Sequence, residues 1–423
     1  MAMSFTKGLE HDNVTGLVED PLAFESFRTA IDDGFIDAFT TSVRASPSKR
    51  RKWEAPTAGI VYELSGPDPQ SVTMPPAPAL GSTELAYEMA EVYELALLRD
   101  VRLTEFGEGS ADPAVLSAIT RLNDIDYTLS GEKGRARKNM SGAVTLQTLF
   151  RGSSPGVETG SYLSQFLLIG NDQPGDPGVA HGKVQYGEDL RDNSSLFDTT
   201  LSRRFITYPR DIATYVHDDA LYESYLNACL ILLSMETPFD SGFAKLPGQG
   251  ELFLNSLDLN LNLLRPLETH PRQAGGFALF GGPHILTLVT EVATRALKAV
   301  RYQKYNNHLR LRPEALAARI HRASQIESAF PHIGNKFSDL SNAIAPTVAM
   351  VTAFNSTSTA LLPMAFQEGS PMHPSYGAGH ATVAGACITI LTYLRSFYWR
   401  KSLIYGFRLI LTQKFPLKSM VFF

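Results

Sequence analysis

The sequence predicts a mainly α-helical protein, built as a helical bundle with long loops. Apolar residues recur at steps of three and four, and sequences that favour strands are few. Two loop-rich stretches separate the periodic segments: Leu64–Ser82, which is rich in proline, and Gly152–Ser195, which is dense in Gly, Pro, Asp and Ser. Each periodic segment is therefore a candidate helix of the bundle.

Five segments of the chain are predicted helices. The first follows a Ser-Thr start signal and carries its apolar residues on one face, and the third has proline at its first position. The fifth is apolar on all sides, so we expect all its sides to be buried. In chain order the segments are Glu84–Leu98, Asp211–Met235, Pro283–Lys304, Pro313–Ile326 and Val383–Leu394.

Composition and charge argue against several classes of function. The chain has 423 residues and a formal net charge of -5, and this mild acidity argues against nucleic acid as a partner. It has no uninterrupted run of the roughly 18 apolar residues that a membrane helix needs. No signal peptide is recognised either, so the default location is cytoplasmic. The basic run Lys49–Lys52 is interpreted as solvated surface, and Cys229 and Cys387 as core thiols.

A lysine and an arginine near the third helix are candidate anion ligands. Lys304 continues the apolar stripe of that helix, although a lysine in a last turn can also reach water along its stem. Arg312 directly precedes Pro313, which disfavours helical geometry at the arginine and places it at a joint between two helices. There it can hold an oxyanion in its guanidinium fork or form an inter-helix salt bridge.

A glycine-rich loop with two histidines leads into the fifth helix. Gly379 and the small Ala378 allow close approach of a ligand, and the amides at a helix start attract anions. His380 can donate to an oxyanion or transfer a proton near neutral pH, and His373 lies earlier in the same loop. Together with the lysine and the arginine, these residues predict a site for a tetrahedral oxyanion. Phosphoryl transfer and peroxide chemistry both remain open.

Several stretches resemble the vanadium-dependent haloperoxidases, in particular red-algal and cyanobacterial bromoperoxidases. YQKYNNHLRLRPEA carries that family's Lys-x7-Arg-Pro element at Lys304 and Arg312, and HPSYGAGHATVAGA resembles its HPSYPSGHAT element. SFTKGLEHD, KWEAPTAG, MPPAP, YPRDIATYVHDDALY and GGFALFGGPH are also similar, so the resemblance extends from Ser4 to about Leu394. An acid phosphatase superfamily shares the Lys-Arg and Gly-His elements, so phosphoryl hydrolysis is the alternative function.

The resemblance implies a helical haloperoxidase fold and a vanadate cofactor. With hydrogen peroxide, such enzymes oxidise halide, bromide foremost, to a hypohalous acid equivalent that halogenates small organic acceptors. By this resemblance Lys304 and Arg312 bind vanadate oxygens, and Lys304 also polarises the peroxide. The amide of Gly379 holds the anion, His380 is the acid–base residue, and His373 tunes halide oxidation. A homo-oligomer and a calcium ion are also implied.

The sequence departs from the family at two places. Ala378 stands where the family has serine, which removes a hydroxyl contact to vanadate worth about 1.5–3 kcal/mol. The family's third element, an arginine followed by the histidine that bonds vanadium, has no counterpart after His380, the last histidine of the chain. A catalytically inactive, truncated homologue is therefore a third interpretation. We expect residues 1–394 to form a helical domain whose second bundle is incomplete, and residues 395–423 to be a divergent, poorly packed tail.

Overall fold

The structure is a computed structural model. It describes residues 1–48, 51–106, 112–125, 139, 141–146, 148–151, 168–169, 179–180, 203–204, 208–215, 220–234, 282–365 and 369–395. Within these ranges the ordered elements are helices with very little strand, which confirms the predicted fold class.

Seven of the described helices lie before residue 235. They are α1 (Pro21–Asp33), α2 (Ala38–Thr41), α3 (Thr83–Leu97), α4 (Pro113–Asp124), α5 (Thr148–Arg151), α6 (Pro209–Tyr215) and α7 (Glu223–Ser234). Helix α3 begins where predicted, because the Ser82 hydroxyl caps it by accepting from the amide of Leu85 at 3.2 Å.

The prediction of a single helix over Asp211–Met235 was wrong. Helix α6 ends at Tyr215, and Ala220–Tyr222 are not helical before α7 begins. The intervening sequence contains two adjacent aspartates, a residue type that competes for backbone hydrogen bonds and favours helix ends over helix interiors. The prediction recognised a segment that is polar early and strongly apolar late, but it did not include the break between the two halves.

The second half of the described chain carries the helices that build the site. They are α8 (Gly282–Tyr302), α9 (Pro313–His321), α10 (Ala323–Ala329), α11 (Lys336–Ala343), α12 (Ala345–Phe354) and α13 (Gly379–Arg395). Helix α8 matches its prediction and continues into a π-helical segment, Gln303–His308. The helix predicted over Pro313–Ile326 is instead two helices that meet at Arg322, whose φ of -104° and ψ of 19° leave the helical range. Neither glycine nor proline marks this break in the sequence.

Strands are short throughout the described ranges. Strand β1 (Leu168–Ile169) pairs antiparallel with β3 (Arg203–Arg204), and β2 (Val179–Ala180) pairs antiparallel with β4 (Pro363–Met364). Short 3-10 turns lie at Pro69–Ser71, Leu103–Phe106 and Pro331–Ile333, and the proline-rich stretch Leu64–Ser82 is otherwise irregular, as predicted. Most of the second predicted loop, Gly152–Ser195, lies outside the described residues.

Three buried clusters hold these helices together. The largest joins α3 and α4 to α9, α11 and α12, and the second joins α8 lengthwise to α13, with α7 beside them. The third is aromatic and packs Phe5, Phe27 and Trp53 from the N-terminal part of the chain with Tyr305 of the π-helical segment. The π-helical segment therefore connects the second cluster to the third, and Lys304 lies at that connection.

Helix α13 is buried on one face rather than on all sides, which corrects the prediction. Val383, Ala384 and Cys387 are buried, whereas Thr389 is exposed. Of the described helices, α8 and α7 pack against α13 in the second cluster. Both cysteines are buried as predicted, and burial raises the pKa of Cys387 to about 12, so that thiol stays protonated.

Two further sequence predictions concern membrane-spanning helices and the C-terminal tail. In the part of the chain that the structure describes, no helix has the length and apolar character needed to cross a bilayer. The tail after Arg395 lies outside the described residues, so its poor packing stays a prediction.

Candidate oxyanion-binding site

Lys304 lies in the π-helical segment and is 2% exposed, which rules out the solvent-reaching lysine that the sequence left open. A π-helical turn shifts the side chains that follow it and is often found at functional positions. The Lys304 ammonium donates to the carbonyl oxygens of Pro374 at 2.8 Å and Ser375 at 3.3 Å. Because an ammonium has three N–H donors, one donor remains for a ligand.

The charge of Lys304 is opposed by its surroundings. Burial first, and then the neighbouring cations Arg312 and Arg301, hold the pKa of Lys304 well below its usual value. An anion bound among these three cations would oppose the repulsion and favour the charged lysine. The lysine therefore lies where a negative ligand would have the largest electrostatic effect.

Arg312 has the extended backbone that the following proline predicts, with φ -82° and ψ 156°, and it immediately precedes α9. Its Nε donates to the Ser370 hydroxyl at 2.7 Å, and its Nη1 donates to the carbonyl oxygen of His373 at 3.2 Å. The buried carboxylate of Glu314 lies 3.4 Å from Nε, so the salt bridge considered from the sequence is also present. Within the described ranges, Nη2 has no protein acceptor and is the edge available to an oxyanion.

His373 contacts the same group of cations. Its Nδ1 lies 2.8 Å from the carbonyl oxygen of Pro374, and because a carbonyl only accepts, Nδ1 carries the proton in this contact. The 3.4 Å approach of Arg312 Nη1 to Nδ1 then joins two donors and is not a hydrogen bond. Burial, followed by Lys304, Arg312 and Arg301, holds the pKa of His373 well below its usual value. The neutral ring therefore offers Nε2 as an acceptor.

Positive charge is in excess around this group. Five cationic side chains and two carboxylates lie close together here, linked by ion pairs and shared hydrogen-bond partners. The cations are Lys7, Arg51, Arg301, Lys304 and Arg312, and the carboxylates are Glu54 and Glu314. The buried Nε of Arg301 has no hydrogen-bond partner in the described part of the chain. Unsatisfied buried donors of this kind are stabilised by a bound anion, so these residues suit an oxyanion such as vanadate.

Within the basic run Lys49–Lys52, Arg51 is not simply solvated surface, which corrects the interpretation for this residue; Lys49 and Arg50 lie outside the described residues. Arg51 donates through Nη1 to the carbonyl oxygen of Ser370 at 2.9 Å. Lys52 is exposed, as expected of a surface residue. Arg51 therefore supports the loop that carries the two histidines, from a position far away in sequence.

The predicted helix start is at the expected residue. Helix α13 begins at Gly379, and the Ala378 carbonyl accepts from the Thr382 amide at 3.0 Å and from its hydroxyl at 2.8 Å. His380, in the first turn, is partly buried. A Cβ atom at Gly377 would meet the methyl group of Met74, so a larger residue there would require the flexible Met74 side chain to move.

The structure brings part of the predicted site together by direct contact. Lys304, Arg312 and His373 all contact the loop that leads into α13, and Gly379 and His380 follow in that loop at the helix start. The convergence of Gly379 and His380 on the same anion stays a prediction, as do the roles assigned to Ala378 and the others.

Sequence reasoning missed three residues that the structure places here: Glu54, Arg301 and Ser370. Arg301 had a detectable signal, because it lies three residues before Lys304 and so on the same side of the helix. Glu54 lies 3.8 Å from Nε2 of His373, and Ser370 bonds Arg312, although each is remote in sequence from its partner. Such contacts leave no local pattern.

Comparison with known proteins identifies the family. The chain is 37% identical to the vanadium-dependent bromoperoxidase of Corallina officinalis, over 92% of this chain and 74% of that protein. The chain belongs to the vanadium-dependent bromoperoxidase family. The Corallina pilulifera bromoperoxidase is likewise 37% identical over 92% and 74% of the two chains, and the Ascophyllum nodosum bromoperoxidase is 30% identical over 92% and 68%.

A solved bromoperoxidase has the same fold. The homohexameric structure of the second vanadate-dependent bromoperoxidase from Ascophyllum nodosum matches with a TM-score of 0.64 at 24% identity. The match covers 93% of this chain, which spans 63% of that solved chain. This likeness confirms the helical haloperoxidase fold. No family model matches the chain.

Two predictions were left open: phosphoryl hydrolysis as the alternative function, and a calcium ion. All three relatives at 30% identity or more are bromoperoxidases, which favours the peroxidase over the phosphatase. Among the residues that the structure describes, no three His, Cys, Asp or Glu side chains come together as a metal cluster. The calcium ion stays a prediction that no observation supports.

Proposed function

We propose that this bromoperoxidase-family chain binds vanadate at Lys304 and Arg312 and oxidises halide, with bromide foremost, using hydrogen peroxide, with an activity that is impaired in the chain of 423 residues. The observation that carries the proposal is a set of three donors without protein partners in the described structure: the third ammonium N–H of Lys304, Nη2 of Arg312 and the buried Nε of Arg301. Together they suit the oxygen atoms of a tetrahedral oxyanion. Family membership supports vanadate as that oxyanion.

Vanadate, when bound, supplies a Lewis-acid centre at which hydrogen peroxide is activated towards halide without a change in metal oxidation state. Lys304 and Arg312 hold the oxygen atoms of the anion and lower the free energy of negative charge at the site. The amide of Gly379 adds a donor at the positive end of α13. His380 is the acid–base residue: one of its ring nitrogens takes up a proton during the reaction and returns it. Small organic acceptors receive the oxidised halogen.

In this proposal His373 affects the oxidation of halide and adds no positive charge to the oxyanion site. Its ring is neutral, because its pKa is held low by burial and by the three surrounding cations. Nε2 then accepts a hydrogen bond, and the ring brings no further positive charge to the cationic group. We propose that this neutral histidine tunes halide oxidation, as the resemblance implies.

Quaternary structure belongs to the same proposal. The solved relative from Ascophyllum nodosum is homohexameric. We propose that this chain also forms a homo-oligomer, and that residues 1–394 form its helical domain.

The cationic donors are tested by a matched pair of lysine substitutions on one helix. We expect Lys304→Met to weaken orthovanadate binding at least tenfold, because a hydrogen bond to a charged group contributes about 1.5–3 kcal/mol and each 1.4 kcal/mol is tenfold. The control is Lys298→Met, since Lys298 lies on α8 and pairs with Glu63 at 2.8 Å. Binding is measured by isothermal titration calorimetry, followed by a bromination assay with a phenol dye acceptor.

The same experiment separates the alternatives. If Lys304→Met binds orthovanadate as tightly as the control, the proposed site is wrong. If the unaltered chain hydrolyses a phosphate monoester, and a chain extended by the family's arginine–histidine element does not brominate the dye, the phosphatase is the better description.

A further inference from the structure

Ser370 lies between Arg312 and a buried carboxylate. The serine is 2% exposed, and its hydroxyl accepts from Nε of Arg312 at 2.7 Å and from the ammonium of Lys7 at 3.2 Å. The same hydroxyl donates its hydrogen to the carboxylate of Glu314. Every hydrogen-bonding position of the hydroxyl is therefore used.

The directions of these hydrogen bonds are determined by chemistry. Arg312 and Lys7 only donate, and an ionised carboxylate only accepts. The single hydroxyl hydrogen must therefore point to Glu314, and the two lone pairs must face the cations. This arrangement fixes Nε of Arg312 and, with it, the plane of the guanidinium.

The serine also keeps Arg312 from pairing fully with Glu314. Nε lies 3.4 Å from the carboxylate, which is longer than a charge-assisted hydrogen bond. Without the hydroxyl, the guanidinium can move towards the carboxylate and form the bidentate pair that this combination favours. The edge that carries Nη2 would then be used by Glu314 and withdrawn from the oxyanion.

The N-terminal part of the chain holds this serine in place from the other side. The Ser370 carbonyl oxygen accepts from the Lys7 ammonium at 2.7 Å and from Nη1 of Arg51 at 2.9 Å. Lys7 also lies 3.6 Å from Glu314, so the carboxylate has a second cation beside it. Backbone and hydroxyl of one residue are thus both held by charged groups.

We propose that Ser370, backed by Glu314, is a positioning residue that directs Arg312 towards the bound oxyanion. The proposal rests on the proposed function, because it concerns the same anion. A positioning role and a merely structural role for Ser370 lead to different expected anion affinities in a variant without the hydroxyl. A structural serine would change the melting temperature and leave anion affinity unchanged.

The test measures orthovanadate and inorganic phosphate binding to the 423-residue chain by calorimetry, beside the melting temperature. We expect Ser370→Ala to weaken both anions at least tenfold, and Ser370→Thr, which keeps the hydroxyl, to stay within threefold of the unaltered chain. Ser338→Ala is the matched control, because the Ser338 hydroxyl donates to Glu327 at 2.6 Å away from this site. That control should leave both affinities unchanged.

Two double variants test whether Ser370 acts through its neighbours. In an Arg312→Ala background, Ser370→Ala should change affinity by less than twofold, because no guanidinium remains to be directed. Adding Glu314→Gln to Ser370→Ala should restore affinity to within threefold of Glu314→Gln alone, because the charged competitor for Arg312 is gone. Ser370→Cys replaces the alanine variant if that variant does not fold, since a thiol bonds only weakly.

The outcomes distinguish the positioning role of Ser370 from the proposed function on which it rests. Equal anion affinity in Ser370→Ala and the unaltered chain overturns the positioning role alone. An equal loss of affinity with and without Arg312 also overturns it. An unaltered chain that binds neither anion overturns the proposed function and the positioning role together.

Discussion

At the scale of single residues, the site depends on how a buried ammonium is accommodated. Lys304 is 2% exposed, and it keeps two backbone carbonyl acceptors, those of Pro374 and Ser375. An isolated buried ammonium would be strongly unfavourable, and the carbonyl oxygens offset part of that cost without adding negative charge. The lysine thus stays close to cations and remains able to attract an anion.

Ala378 offers a residue-scale gain of function. We expect Ala378→Ser to tighten orthovanadate binding about tenfold, because the serine that the family resemblance places there would add a hydrogen bond to the anion worth about 1.5–3 kcal/mol. Serine is also a better residue than alanine immediately before a helix, so the melting temperature should rise as well. Calorimetry is compared with that of Ala386→Ser, further along α13. A higher melting temperature with unchanged affinity would mean that residue 378 does not contact the anion.

At the scale of helices, one carboxylate joins three elements of the largest core. Glu94 of α3 is fully buried; it accepts two hydrogen bonds from Arg121 of α4, at 2.7 and 2.8 Å, and one from Thr347 of α12 at 2.7 Å. A buried ion pair contributes little compared with an apolar replacement, but removing one partner leaves the other charge unpaired. The packing of α4 and α12 against α3 therefore depends on this carboxylate.

Glu94→Gln should destabilise the protein by about 3–5 kcal/mol, because it leaves the partly buried Arg121 without its counter-charge. The urea midpoint of unfolding measures the effect. Glu291→Gln is the control, since Glu291 is 47% exposed and pairs with Arg295 along one face of α8. That control should stay within about 0.5 kcal/mol of the unaltered chain. A midpoint for Glu94→Gln equal to that of the control would contradict the role given to this carboxylate.

At the scale of the whole molecule, the site is assembled from widely separated parts of the chain. Lys7 and Arg51 come from the N-terminal part, Lys304 from the π-helical segment after α8, and Ser370 from the loop before α13. These parts reach the site because the aromatic cluster and the α8–α13 cluster meet at the π-helical segment. The contacts that pack these parts of the chain together therefore also position the candidate anion ligands.

The 423-residue chain should bind vanadate weakly and show little bromide peroxidation. The sequence has no histidine after His380, so by the family resemblance it lacks the arginine–histidine element whose histidine bonds vanadium directly. Losing both should cost several kcal/mol, where each 1.4 kcal/mol is about tenfold in affinity. The assay compares this chain with one extended by the family's arginine–histidine element, using vanadate, bromide, peroxide and a phenol dye. Equal bromination by the two would mean that another residue replaces the missing ligand.

The sequence alone determined the features that depend on local chemistry. The α3 and α8 helices follow from apolar periodicity, the extended backbone of Arg312 follows from the steric effect of Pro313, and the start of α13 follows from its glycine-rich approach. The same local rules failed where a helix is interrupted, as between α6 and α7, or where neighbouring helices decide burial, as at α13. Lys304 and Arg312 were found because their spacing lies within one short stretch.

Only the tertiary structure decided what surrounds those two residues. Ser370 is held by Lys7 from 363 residues away and by Arg51 from 319 residues away, distances at which no sequence pattern relates the partners. The low pKa of Lys304 and of His373 likewise depends on burial and on cations from other elements. Hydrogen bonds and electrostatic interactions act over a few ångströms in space whatever the separation along the chain. For that reason the candidate ligands were visible in the sequence, and the residues that direct them were not.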